Sequence, residues 1–137
     1  RPGIVWEVKC EDEPEAVAAA VAAVTKRLRD TGDHRCVVSS FSRELLATLR
    51  PGLPEIPMAL IAEALPHDGV TFCREHGLEG MHLDGHQVAH DSARTVLDAG
   101  LALRCYTIND IKEAERLVAL GVSMVMTDFP ERFLNEY

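Results

Sequence analysis

The sequence predicts an α/β fold, a (β/α)8 barrel that is incomplete here, with about six of the eight βα units. Three observations carry that reading. Short apolar runs alternate with helical periodicity along all 137 residues, the mark of parallel βαβ units wound right-handed. No Gly-x-Gly-x-x-Gly follows any of the strands, so a dinucleotide-binding sheet has no support. A whole barrel takes about 250 residues, and six units leave its beginning unaccounted for. The chain opens on Arg1-Pro2-Gly3 and runs straight into a strand, with neither a charged leader region nor an apolar one ahead of it. Such an opening is expected of a fragment, and residues 1–137 read as the carboxyl-terminal part of one barrel domain.

Each element has its own cause. Ile4–Lys9 is rich in Val, Ile and Trp and reads as a strand. The helix after it has Asp12 for an N-cap, Pro14 in the first turn and Glu15 placed for a capping box. Its apolar face is Val17, Val21, Val24 and Leu28, and Gly32 ends it. Cys36–Ser39 is a strand, and Ser42–Leu49 a helix halted by Pro51-Gly52. A Pro-rich loop leads to the strand Met58–Ile61, a helix over Gly69–His76 stopped by Gly77, and the strand Gly80–Leu83. Asp91–Ala99 is helical and stops at Gly100; Leu101–Thr107 is a strand. Asp110–Leu120 is a helix with Ile111, Ala114, Leu117 and Val118 on one side, stopped by Gly121. Val122–Met126 is the last strand, and Thr127-Asp128-Phe129-Pro130-Glu131 looks like the capped start of a terminal helix.

Composition narrows the class of function. Fourteen basic and 22 acidic residues leave a net charge of −8, with 47% hydrophobic residues. That apolar content excludes disorder, and the acidic balance without a Lys/Arg stripe argues against nucleic acid. The longest apolar run, Ala16–Val24, falls far short of the ~18 residues of a membrane span. Cys10, Cys36, Cys73 and Cys105 include no C-x-x-C pair. They read as small buried hydrophobes in a reducing, cytoplasmic compartment, with zinc ligation or a disulfide framework as the alternatives.

In a parallel barrel, sites lie at the carboxyl ends of strands. Trp6-Glu7-Val8-Lys9 is the most informative of these ends, because a carboxylate and an ammonium stand two apart on an apolar strand. Period-two alternation sends both to one face. Two charges inside a barrel are costly unless they pair or meet a ligand; the alternative is a solvent-facing pair at a frayed strand end. His82, His86 and His90 are spaced by four, but Gly85 interrupts any helix through them, so they read as a loop of solvated imidazoles rather than a metal site. His34, His67 and His76 read as loop or helix-end residues, and His67-Asp68 and His90-Asp91 as helix starts with Asp for a cap.

Five segments occur together in a recognisable order: Glu7-Val8-Lys9, Ser39-Ser40-Phe41, Ala99-Gly100-Leu101, Tyr106-Thr107-Ile108-Asn109-Asp110 and Thr127-Asp128-Phe129-Pro130. In order and separation, over almost the whole chain, they resemble the glycerophosphodiester phosphodiesterases. That resemblance implies a TIM barrel, present here from about its third strand onward. It implies that Glu7 is a metal-binding carboxylate, Lys9 the lysine that meets the substrate phosphate, and Phe41 an aromatic near the site mouth. Tyr106 stands where that family usually has Trp, beside the pocket. Thr107, Asn109 and Asp128 read instead as turn formers and helix caps.

The resemblance also implies what to look for elsewhere. The family's His-Arg-Gly motif, its Glu-x-Asp metal pair and its second acid/base histidine belong upstream of Arg1, and no histidine here takes their place. The expected reaction is hydrolysis of a glycerophosphodiester to glycerol 3-phosphate and an alcohol. A divalent cation, Mg²⁺ or Ca²⁺, would neutralise the phosphate and histidines would move the protons. The expected partner is that small-molecule substrate. Two open strand edges also invite association into a homo-oligomer. The alternatives are a related barrel phosphodiesterase acting on another lipid headgroup, and a non-catalytic barrel with a binding or assembly role.

Overall fold

A computed structural model describes residues 4–32 and 35–134. Arg1-Pro2-Gly3 and His34 therefore lie outside the described residues. The elements alternate strictly: β1 (Ile4–Glu7), α1 (Pro14–Thr31), β2 (Cys36–Ser40), α2 (Arg43–Leu49), β3 (Met58–Ala62), α3 (Gly69–Glu75), β4 (Gly80–Asp84), α4 (His90–Asp98), β5 (Ala102–Tyr106), α5 (Ile111–Ala119) and β6 (Met124–Val125). Four glycines at helix ends adopt the left-handed backbone: Gly32, Gly77, Gly100 and Gly121. They are the four stops expected from the sequence, since only Gly takes that conformation without a Cβ penalty.

The chain forms two compact units, residues 1–61 with 71–79 and residues 62–70 with 80–137. In the first, β1 pairs with β2 and β2 with β3, all parallel. Val38, Met58 and Leu60 are buried from this sheet, and Leu28, Leu45, Leu46 and Leu49 from the helices. Trp6 shares a shallow crevice with Ala23, Val24 and Arg27 of α1. Strand alternation then turns Val5 and Glu7 away from α1. Register extends this second face, because Val5 pairs with Val37, Glu7 with Ser39, and Ser39 with Ala59.

In the second unit β4 pairs with β5 and β5 with β6, again parallel. Gly85 begins a 3-10 turn after β4, and a Cβ there would sit 2.5 Å from Ile108 Cδ1 and 2.8 Å from Leu117 Cδ1. Only Gly admits that approach of the turn to α5. Arg116 of α5 fastens the same turn by donating to the carbonyls of Val88 and Gly85, at 2.8 and 2.9 Å.

Several expectations need correction. Asp12 does not cap α1: the N-cap is Glu13, which makes no side-chain cap bond. The Asp12 carboxylate instead accepts from Ser42 Oγ at 2.5 Å, 30 residues away. Val118 is 52% exposed rather than packed with Ala114 and Leu117, and lines an open apolar groove with Met124, Phe133 and Leu134. Pro130–Arg132 forms a 3-10 turn where a terminal helix was expected. His67-Asp68 stands directly before α3, as a helix start should, but the N-cap of α4 is Ala89, which leaves Asp91 inside the first turn.

Candidate active site

The segment after β1 is held by two serines of the next strand and turn. Ser40 Oγ donates to the Val8 carbonyl at 2.6 Å and accepts from Ser42 N at 3.0 Å. Ser42 Oγ caps α2 by accepting from Leu45 N at 3.1 Å and donates to Asp12. The backbone between Glu7 and Lys9 is thus pinned to β2, and the start of the following loop to α2. Ser42 at the head of a helical pattern was legible as a start; its bond to Asp12 was not, because the more local capping role competed for that carboxylate.

Glu7 is the last residue of β1 and Lys9 lies two beyond it, outside the strand. The expected strand through Lys9 is therefore too long, and alternation places Glu7 on the face away from α1 but does not place Lys9. The pairing with β2 continues to Val8, whose N–H donates to Ser39 O at 2.8 Å. Both charged residues are exposed. Among the described residues neither side chain makes a hydrogen bond or ion pair, with the other or with any other group. Phe41 directly follows β2 and is 52% exposed, an apolar surface at that strand's carboxyl end.

Ser39 differs from its neighbours. It is fully buried, and its Oγ finds no hydrogen-bond partner among the described residues. An unsatisfied buried hydroxyl costs about 1–3 kcal/mol. This orphan lies beside Glu7 in register and on the same face.

Tyr106 belongs to the second unit, at the carboxyl end of β5. Its hydroxyl donates to the Ala62 carbonyl at 3.0 Å, fixing the exit of β3. Asn109 joins two further strand exits, since its side chain accepts from Thr127 Oγ1 at 2.9 Å and from Asp128 N at 3.0 Å. Its amide also donates to the Asp128 carboxylate at 3.3 Å. Asn109 and Asp128 are turn and loop staples, as the sequence suggested.

His82 is not in a solvated loop but buried within β4 at 1% exposure. Its Nε2 accepts from the Arg104 guanidinium at 3.2 Å, which places the ring proton on Nδ1. Burial first, and the Arg104 charge second, lower this imidazole from 6.5 to about 4. It is neutral at physiological pH. His86 and His90 are exposed, beside Asp84 and Asp91 respectively. Among the described residues no three His, Cys, Asp or Glu side chains cluster as a metal site. The four cysteines are free thiols, and burial pushes Cys73 up to about 11 and Cys105 up to about 12, so both stay protonated.

Residues 2–132 match the glycerophosphoryl diester phosphodiesterase family. The chain belongs to that family. A glycerophosphodiester phosphodiesterase of Bacillus subtilis (strain 168) is 24% identical over 135 residues, covering 93% of this chain and 46% of the relative. Its counterpart from Bacillus altitudinis is 26% identical over 102 residues, covering 73% of this chain and 42% of the relative. The chain thus spans a little under half the length of these relatives. A phosphodiesterase of Oleispira antarctica, solved with the product sn-glycerol-3-phosphate, superposes with a TM-score of 0.88. That match has 21% identity and covers 97% of this chain and 54% of the other. The fold is accordingly the α/β barrel of this family in part, with six consecutive strands and their helices.

Proposed function

We propose that residues 1–137 are the carboxyl-terminal part of a single barrel domain that hydrolyses glycerophosphodiesters to glycerol 3-phosphate and an alcohol. The family match over residues 2–132, with Glu7 and Lys9 at the first strand's carboxyl end, carries this reading. Glu7 supplies one hard oxygen to a divalent cation, Mg²⁺ or Ca²⁺. The donor set fits part of such a site: one exposed carboxylate facing away from α1, with an unsatisfied hydroxyl in register beside it. The remaining ligands and the acid/base histidines come from the preceding βα units of the same barrel. When bound, the cation neutralises charge on the phosphodiester.

Lys9 is the phosphate-binding cation of this half. Its ammonium is exposed and has no ion-pair partner among the described residues, so it reaches a phosphate oxygen without first breaking a salt bridge. Developing negative charge on the phosphoryl oxygens strengthens that contact in the transition state. Phe41 offers the substrate an aromatic surface at the carboxyl end of β2, and Tyr106 offers one at the carboxyl end of β5, held by its bond to Ala62. His82, which is buried, and His76, whose ring lies 4.4 Å from that of Phe72 between centroids, are poor candidates for proton transfer. Four free cysteines favour a reducing, cytoplasmic compartment. Among the described residues no helix is long and apolar enough to cross a membrane. On this reading the protein would act in lipid and glycerol metabolism.

The test is release of glycerol 3-phosphate from glycerophosphocholine by the barrel with its preceding units present. Glu7→Gln keeps the side-chain shape and removes the charge, so the rate should fall steeply at low Mg²⁺ and partly recover at high Mg²⁺. An unchanged rate at low metal removes Glu7 from the site.

A further inference from the structure

We propose that Ser39 is a positioning residue for Glu7, its hydroxyl donating to one carboxylate oxygen while the other holds the divalent cation. The inference rests on the metal role proposed for Glu7 and adds a residue to that site. Glu7 and Ser39 are register partners on adjacent parallel strands and face the same way. Each carries an unused hydrogen-bonding group: the Ser39 hydroxyl is fully buried without a partner, and the Glu7 carboxylate has none among the described residues. The neighbouring positions on that face offer nothing else, because Val5, Val37 and Ala59 have apolar side chains. The adjacent serines contrast with it, since Ser40 is engaged with Val8 and Ser42 with Leu45 and Asp12.

A carboxylate that binds a cation through one oxygen keeps lone pairs on the other, and a fixed donor there selects the rotamer that presents the ligand. Rotation of the exposed Glu7 side chain over its register partner satisfies both groups at once. Ser39 then acts through Glu7 and touches neither the cation nor the substrate.

The experiment is calorimetric titration of the metal-free barrel, with its preceding units present, using MgCl₂ and then CaCl₂. Ser39→Ala should weaken binding of the metal alone by about 10- to 100-fold, the usual loss for a partner of a ligating carboxylate. Ser39→Thr, which restores the hydroxyl, should recover most of it. The melting temperature of metal-free Ser39→Ala should hold or rise, because that state loses no hydrogen bond. Wild-type affinity in Ser39→Ala, alongside a large loss in Glu7→Gln, overturns this role and leaves the Glu7 ligand standing. Wild-type affinity in both variants overturns the metal site itself. A lower metal-free melting temperature with unchanged affinity makes Ser39 a packing residue and also overturns the proposal.

Discussion

Glu7 ends one strand, Lys9 lies two residues beyond it and Ser39 sits on the neighbouring strand, yet the sequence disclosed them unequally. The two charges announce themselves on an apolar strand, whereas Ser39 reads as one more small polar residue at a strand end. Only register and burial distinguish its hydroxyl from those of Ser40 and Ser42. His82 was misread for a related reason: histidines spaced by four suggest one shared environment, but β4 buries the first and leaves the others exposed. Its lowered pKa gives a pH prediction. The native state keeps His82 neutral down to about 4, while an unfolded chain protonates it near 6.5. Stability from this residue is therefore full above about pH 6.5 and is lost as pH falls toward 4. The loss reaches up to about 3 kcal/mol. His82→Gln keeps an acceptor for Arg104 without a titrating group. Urea unfolding across pH 7.5 to 4.5 should show a shallower decline for the variant than for wild type. Parallel declines would mean that His82 titrates normally.

At the scale of elements, helix ends were more legible than strand ends. The four glycine stops were readable because a left-handed C-cap has a nearly unique residue requirement. Strand ends depend on which backbone groups find a neighbour, and sequence does not encode that locally; hence Ile4–Lys9 shortens to Ile4–Glu7. Asp12 failed as a cap because a partner 30 residues distant claimed it. The Ser42 hydroxyl joins the loop after β1 to the first turn of α2, and is almost fully buried. Ser42→Ala removes both bonds and should destabilise the protein by about 1–2 kcal/mol. Urea unfolding checks this, and a change under a few tenths of a kcal/mol would show that the cap and the Asp12 tie are energetically idle.

For the whole molecule, βα alternation gave the class of fold and resemblance of five short segments gave the family, which the match over residues 2–132 establishes. What stayed hidden was the engagement of each side chain, which no periodicity reports. Among the described residues β1 and β6 each have a single strand neighbour, and Ile4, Val118, Met124 and Leu134 are exposed around them. The 137-residue chain alone should accordingly self-associate, as read by light scattering after gel filtration. A monodisperse monomer with a sharp thermal transition would count against the open edges. The central claim, that this half of the barrel brings the phosphate-binding cation to a glycerophosphodiester site, is tested most directly at Lys9. In the barrel with its preceding units, Lys9→Met removes a charge-assisted contact of roughly 1.5–3 kcal/mol. That corresponds to a loss of about 10- to 150-fold in kcat/KM for glycerophosphocholine. The melting temperature should barely move, because Lys9 is exposed and unpaired among the described residues. Unaltered kcat/KM together with a marked drop in melting temperature would contradict the account.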